Sequence, residues 1–440
     1  MYYYCFMANS NIFSTLFNKN IINQLAHSSG LIERKRKVNG LDLIVSVFAS
    51  VAKQMPSYNV VSCMLYTHQN IDISRQRLHK IISSDKFAIF FKEVINHLWQ
   101  LQVDPSRETR KRKFNRVLLQ DSTILQLPKR LFQQYSGASN AAVSVANCRI
   151  QLCIDLMTNL LQTLGIDSYS VNDLKARHYL KPQKGDLVIR DRGYFALDQL
   201  INFVKERVHF IVRSKSNNKF YDRFGKPINL HKVLSKRKTT VLEVRLSCNK
   251  GPLLTLFAQK VSPEIAAERC RAAKLSSKGR MISKQTMEQL QWSIFLTDLD
   301  SKTNEFKDIW QLYSLRWRIE ILFKALKTHL HLDSIHNVSS NQLHIIIHAR
   351  IAIVFLITSC VYNPLQAKIE RDKHEKKISL FKLIGVLILD FNLLANAILY
   401  FRKSCTKKEN LLIPKLIKHA SYDSRTRKNF KESFDDIFLS

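Results

Sequence analysis

The chain has 440 residues, 45% of them hydrophobic, which is enough for about three domains of typical size and a real core, and excludes a disordered tail. Its 69 Lys and Arg stand against 35 Asp and Glu, a net charge of +34. Self-repulsion on that scale implies a polyanionic partner, either a nucleic-acid phosphate backbone or an acidic membrane.

The opening residues, Met1 to Met7, are aromatic but lack the basic start, apolar run and small-residue cleavage site of an export signal, so a cytoplasmic protein is expected. Eight cysteines are scattered without a Cys-x-x-Cys spacing, which reads as buried reduced thiols rather than a disulfide or zinc framework. Residues 1–105 read as helical. Within them Val60 to Tyr66, a polar break from Thr67 to Ile73, and Ser74 to Ile82 describe either a helix-turn-helix or simply two short amphipathic helices. In the first case Ser74 caps the second helix and Arg75, Gln76 and His79 face outward as DNA-binding residues.

A basic linker, 106–116, follows; its run from Arg107 to Arg116 holds six cations and one acid, either a solvated connection or a phosphate-tracking segment. From Val117 the pattern turns to strands: Val117–Asp121, Cys148–Leu156, Leu160–Asp167 and Asp186–Asp191, with a helix-compatible stretch over Leu197–Arg207. This predicts an α/β core with a mixed sheet over 117–207 and 301–350. Between them, 208–300 reads as a β-rich insertion with strands at His209–Ser214, Thr239–Ser247, Leu253–Val261 and Trp292–Leu296, and a charged helical connection from Pro263 to Gln289. Residues 351–440 are expected to be helical, ending in a basic tail. The apolar stretches Leu343–Val361 and Leu383–Leu399 are interrupted by His344, His348 and Arg350, and by Asp390, Asn392 and Asn396, so both read as buried core helices rather than membrane spans.

The chemistry is carried by three acids. Asp121 and Asp191 each follow an apolar strand; either alone could be a strand-terminating turn. The stretch from Tyr313 to Lys327 has helical periodicity without Gly or Pro. It places Tyr313, Arg316, Glu320 and Lys327 on one stripe, beside an apolar stripe of Leu315, Ile319, Leu322, Phe323, Leu326 and Leu330. Two strand aspartates and a helix glutamate form an all-oxygen set suited to Mg²⁺. Two such ions could activate a water and stabilise the leaving oxygen of a phosphodiester. Asp155, Asp298, Asp300 and the histidines at 329, 331, 336, 344 and 348 lack such a pattern; Asp298 and Asp300 are expected to cap a turn, and the histidines to face solvent or end helices.

These residues resemble a known family. Tyr313-x2-Arg316-x3-Glu320-x6-Lys327 is similar to the third motif of the bacterial family-four insertion-sequence transposases, whose triad is Asp, Asp, Glu. Leu118 to Thr123 resembles their first motif and Ile189 to Phe195 their second. The resemblance implies a ribonuclease-H-like catalytic core interrupted by a β-rich insertion, with Asp121, Asp191 and Glu320 as catalytic residues holding two Mg²⁺ or Mn²⁺ ions. It further implies that Tyr313, Arg316 and Lys327 hold DNA phosphates, and that the N-terminal helices recognise double-stranded terminal inverted repeats. The active species is then a homodimer, and the reaction is cut-and-paste transposition into target DNA. A hairpin step in that family unstacks a base onto an aromatic. Trp317 is a candidate platform and Trp292 a second; for each, core packing is the role expected first and base stacking the alternative. The competing functions are a tyrosine recombinase using Tyr313 as nucleophile, and an inactive transposase-derived DNA-binding protein.

Overall fold

The computed structural model describes residues 10–34, 37–54, 56–101, 113–137, 144–171, 173, 180–214, 218–235, 238–247, 251–277, 279, 281–372, 377–400 and 412–422. Cys5, Cys248 and Cys405, most of the basic run before Arg116 and most of the C-terminal tail lie outside them. The first stretch is helical as expected: α1 (Ser10–Leu16), α2 (Lys19–Ser28), α3 (Gly40–Val51), α4 (Tyr58–Gln69), α5 (Arg75–Ile82) and α6 (Asp85–Gln100). Helices α2 to α6 each open on an Asn or Ser whose side chain accepts a first-turn backbone N–H, which stops the preceding chain and starts the helix. Helix α4 runs through Gln69, three residues into the expected break, and stops at Asn70 in the left-handed region, φ 52°. After it, Ser74 caps α5 by accepting from the Arg77 N–H. Leu78 and Ile82 turn inward, and Arg75, Gln76 and His79 lie on the exposed side.

The strands are β1 (Val117–Leu127), β2 (Ala146–Asp155), β3 (Leu160–Ser168), β4 (Leu187–Arg190), β5 (His209–Arg213), β6 (Phe220–Tyr221), β7 (Pro227–Ile228), β8 (Thr239–Val244), β9 (Leu254–Lys260) and β10 (Trp292–Thr297). Eight of them form one sheet in the order β3-β2-β1-β4-β5-β10-β9-β8. Strands β1, β4 and β5 are parallel and the other pairs antiparallel, the mixed sheet the sequence predicts. The block at 208–300 was expected as a β-rich insertion into the α/β core, and it is built onto the sheet of that core. Its strands β5, β10, β9 and β8 extend the same sheet, and only the short β6–β7 pair stands apart. An absence of long helices between strands looks like a new unit in sequence, but antiparallel strands add to an existing edge through short connections.

Helix α7 (Leu197–Lys205) links β4 to β5. Within the β block lie α8 (Leu230–Leu234), α9 (Pro263–Ser276) and α10 (Lys284–Gln289), the last two in place of the expected charged helical connection. The remaining helices are α11 (Phe306–Ser314), α12 (Trp317–Leu330), α13 (Ser340–Ile357), α14 (Asn363–Arg371), α15 (Leu380–Leu389), α16 (Phe391–Tyr400) and α17 (Leu412–Ala420).

Strand alternation divides the sheet between two cores. Val117, Leu119, Leu187, Ile189 and Ile211 face a large core shared with the N-terminal helices and α11 to α17, while Leu118, Val188, Phe210 and Val212 face a smaller one with α7 and the outer strands. Cys148 and Cys153, five apart on β2, are buried on opposite faces and unpaired. Cys63 is exposed, unlike the expected buried thiols. Ser340–Arg371, running through a π-turn at Thr358–Tyr362, is the one helix among the described residues long and apolar enough to cross a membrane, and 89% of its most apolar window is buried inside the protein.

Arg350 of α13 is fully buried. Its guanidinium donates to the Val51 carbonyl at the end of α3 (3.1 Å), to the Lys53 carbonyl (3.5 Å) and to the His331 carbonyl just past α12 (2.7 Å). Carbonyl ends of two helices thus share one cation, which satisfies their unpaired acceptors and the buried charge together.

Candidate active site

Asp121 lies in the middle of β1 rather than at its end. Its position is nonetheless an edge: the parallel pairing of β1 with β4 stops at Gln120↔Arg190, where β4 ends, while β1 continues to Leu127 beside β2 alone. Asp121 and Asp191 are therefore the next residues on two adjacent parallel strands. They share the alternation of Leu119 and Ile189, which turns both toward the face covered by α12.

The expected continuous helix from Tyr313 to Lys327 is two helices. The N–H groups of Leu315, Arg316, Arg318 and Ile319 bond three residues back instead of four, and this tight turn separates α11 from α12. The apolar stripe behaves as predicted, with Leu315, Ile319, Leu322, Phe323, Leu326 and Leu330 all buried. Arg316 occupies the corner. Its guanidinium donates to Asp121 Oδ2 at 3.1 Å and to Glu320 Oε1 at 2.5 Å. From α11 the Tyr313 hydroxyl donates to Asp191 Oδ1 at 3.0 Å. The three acids of the sequence motifs thus lie in one neighbourhood of the sheet, Asp121 and Glu320 on Arg316 and Asp191 on Tyr313.

Two residues expected to hold phosphate are engaged with the acids instead: Arg316 with Asp121 and Glu320, Tyr313 with Asp191. Tyr313 is 8% exposed, its ring packs 4.7 Å from Phe295, and burial followed by the nearby Asp191 raises its pKa. Lys327, two turns beyond Glu320 on α12, is half-buried with no ion pair among the described residues. Trp317 is 62% exposed, contrary to the expected core packing, whereas Trp292 is 8% exposed and packs in the smaller core, on the face opposite the acids.

Burial pushes the Asp121 carboxyl up to about 6; the Ser122 N–H and Arg316 pull it down, and Glu320 and Asp191 push it further up. One guanidinium does not offset three carboxylates in a poorly hydrated site. The donors are hard oxygens, which suits Mg²⁺ or Mn²⁺. As arranged, with Arg316 bridging two of the acids, no three Asp, Glu, His or Cys side chains among the described residues form a group able to hold an ion.

On the opposite face a polar network missed at the level of sequence pins the residues flanking both aspartates. Arg190, buried, donates to Gln120 Oε1 and to Gln199 Oε1 (2.6 Å) and lies over the Tyr194 ring. The Tyr194 hydroxyl donates to Gln151 Oε1 at 2.6 Å. Asp173 accepts from Ser122 Oγ (2.9 Å), Arg149 (2.9 Å) and Gln151 Nε2 (3.1 Å). An isolated Arg inside an apolar strand was the available signal for Arg190; Asp173 lies in a stretch with no pattern.

The remaining acids are structural. Asp155 accepts the Val117 and Met157 N–H groups, Asp298 pairs with His209 at 2.7 Å, and Asp300 caps a turn through the Lys302 N–H. Arg116, at the end of the basic run, is bound to buried Asp186 at 2.6 Å rather than free for phosphate. His344 and His348 are half-buried between α6 and α13 rather than solvent-facing; His344 bonds the Tyr135 hydroxyl at 2.8 Å and burial lowers His348 to about 4.

A mixed sheet with aspartates side by side on its parallel strands and a glutamate on the covering helix is consistent with a ribonuclease-H-like domain of the Asp-Asp-Glu class. Residues 112–356, more than half of the chain and including all three acids, match the family described as Transposase DDE domain, and the chain belongs to that family. It is 25% identical over 418 residues to the transposase for insertion sequence element IS231B of Bacillus thuringiensis subsp. berliner, covering 88% of this chain and 86% of that one. It is likewise 25% identical over 407 residues to the transposase for insertion sequence element IS1151 of Clostridium perfringens, covering 85% and 84%. A shorter match, 31% over 100 residues, relates 23% of the chain to 27% of a putative transposase, InsL, for element IS186A of Escherichia coli.

Proposed function

We propose that this transposase binds the terminal inverted repeats of an insertion sequence, cleaves its ends and joins the freed 3′ hydroxyls to target DNA. The observation that supports this most is the meeting of Asp121, Asp191 and Glu320 around Arg316 and Tyr313. The three carboxylates would hold divalent ions, Mg²⁺ or Mn²⁺. When bound, these supply Lewis-acid stabilisation of the attacking and leaving oxygens. Tyr313 and Arg316 orient the acids and are the groups a DNA phosphate would draw away from them. Lys327, on the same side of α12, adds a free cation for that phosphate. The exposed Trp317 beside Arg316 offers a face for an unstacked base. A homodimer bridging two ends completes the reading.

The reading is tested by strand cleavage of inverted-repeat DNA with Mg²⁺ and with EDTA. Activity only with metal is expected. Cleavage that persists in EDTA overturns the metal-site assignment and points to the recombinase alternative. Against that alternative, the Tyr313 hydroxyl is buried and held by Asp191, with its ionisation suppressed, which is the reverse of an activated nucleophile.

Arg75, Gln76 and His79 of α5 are proposed to read the repeats. His79 packs edge-on to Tyr58 of α4, at 5.2 Å, which sets the exposed face of α5 relative to its partner helix. Arg75→Ala is expected to weaken binding to terminal repeats by ~10-fold, the scale of one base contact, with a smaller loss on random DNA. Equal losses on both in a titration would remove base reading from α5.

A further inference from the structure

Beyond Tyr313, on the acid-bearing face of the sheet, lies a second group of cations with no assigned task. Arg213 ends β5 and stands opposite Phe295 in the antiparallel pairing with β10. By alternation with Ile211 it faces the same side as the acids. Arg269 of α9 reaches onto that side two residues further along β10. It donates to the Trp292 carbonyl (3.1 Å), the Leu290 carbonyl (3.3 Å) and Ser293 Oγ (3.2 Å). Burial lowers the Arg269 pKa, and the charges of Arg213 and of Arg192, the residue after Asp191, lower it further. Arg213 and Arg192 make no ion pair among the described residues. Arg213 and Arg269, on one face of the sheet and neither in an ion pair among the described residues, are an arrangement that an anion relieves.

An aromatic surface adjoins them. Trp310 of α11 is 45% exposed although it stacks on Phe306 and meets Phe295 edge-on at 5.9 Å. Phe295 in turn carries Tyr313, the partner of Asp191. Cations with an open indole beside them are the two elements that hold a single nucleic-acid strand: charges follow the phosphates and any base can stack on the ring. Packing alone explains the covered face of Trp310 and leaves its open face unexplained.

We infer that Arg213, Arg269 and Trp310 form a second DNA contact beside the catalytic acids, one that takes the phosphates of an unpaired strand and stacks a base on Trp310. This rests on the proposed DNA-processing function and adds the path and the single-stranded state of the bound segment.

The test is binding of the full chain to a short duplex of arbitrary sequence and to the same duplex with an unpaired oligothymidine tail. Trp310→Leu keeps the apolar contact with Phe306 but removes the stacking face. It is expected to lose ~5-fold or more in affinity on the tailed duplex and to match the parent on the blunt one. Arg213→Gln is expected to lower the salt dependence of tailed-duplex binding by about one phosphate contact. Trp310→Phe should retain most of the affinity. If Trp310→Leu and Arg213→Gln bind both DNAs as the parent does, the second contact does not exist. Equal loss of affinity on both DNAs overturns the unpaired-strand assignment. A parent protein that binds neither DNA instead removes the DNA-processing reading itself.

Discussion

Asp121→Asn is expected to abolish cleavage of inverted-repeat DNA, by ~1,000-fold or more, while making the metal-free protein more stable above pH 6. The two effects have one origin. The carboxyl is buried, and Glu320 and Asp191 crowd it with negative charge, so it rises from its ordinary 3.8 to about 6 even with Arg316 at 3.1 Å. A carboxyl with a raised folded pKa favours folding while protonated. That advantage is lost as pH rises from the unfolded value through the folded one, and above about 6 the folded state bears the full cost of the charge. The interval from 3.8 to about 6 corresponds to on the order of 3 kcal/mol. Asn keeps the size and an acceptor for the Ser122 N–H, now at 2.8 Å, but never carries the charge. Thermal unfolding in EDTA should show variant and parent converging near pH 4 and the variant melting higher at pH 7.5. Parallel curves across that range would contradict burial and crowding by carboxylates as the origin of the raised pKa; retained cleavage would remove Asp121 from the site.

Arg316→Met is expected to act in the opposite direction on stability and the same direction on cleavage. Arg316 is 13% exposed and joins Asp121 to Glu320 across the turn between α11 and α12. Removing one partner of a buried pair leaves charge uncompensated, at a cost of ~3–5 kcal/mol. Here the acids left behind face each other, so Asp121 moves further up and the loss is largest above pH 6. Mn²⁺ should restore part of the melting temperature if the carboxylates hold divalent ions, because a ligand that binds only the folded state stabilises it. Arg316→Lys should recover only a fraction, since one ammonium does not reproduce the planar fork that reaches both carboxylates. A metal-free Arg316→Met protein that melts with the parent at pH 7.5 would show that the guanidinium does not hold the acids in place.

The three acids were legible because each belongs to a local pattern: an apolar strand before Asp121 and Asp191, and helical spacing around Glu320. Their meeting was not legible from any one segment. It depends on β1 and β4 pairing in parallel to Gln120↔Arg190, a register that a separation of 70 residues conceals. The turn at Leu315–Arg316 was also hidden, because the residues there carry no Gly or Pro and keep the apolar stripe intact; only the hydrogen bonds reveal it. Strand identities in the β block were readable, but their membership of the catalytic sheet was not, since antiparallel addition leaves no mark in the alternation of a single strand. Burial separated Trp292 from Trp317, and it exposed Trp310, which sequence reasoning passed over. In each case the deciding quantity was solvent contact, which an indole's spacing on a helical wheel only approximates.

The shared cation at Arg350 bears on how such an element can exchange parts with its relatives. The carbonyls it holds come from both sides of the chain: Val51 and Lys53 from the N-terminal helices, His331 from the end of the glutamate-bearing helix. The same large core runs without interruption from Phe13 to Ala420. A recombination event that grafted a foreign N-terminal segment onto this sheet, to acquire a new DNA-end preference, would have to bring matching carbonyls for a guanidinium encoded three hundred residues downstream. On the proposed reading of the repeats by α5, a new end preference would therefore be reached more readily by point changes on its outward face than by exchange of the whole N-terminal segment.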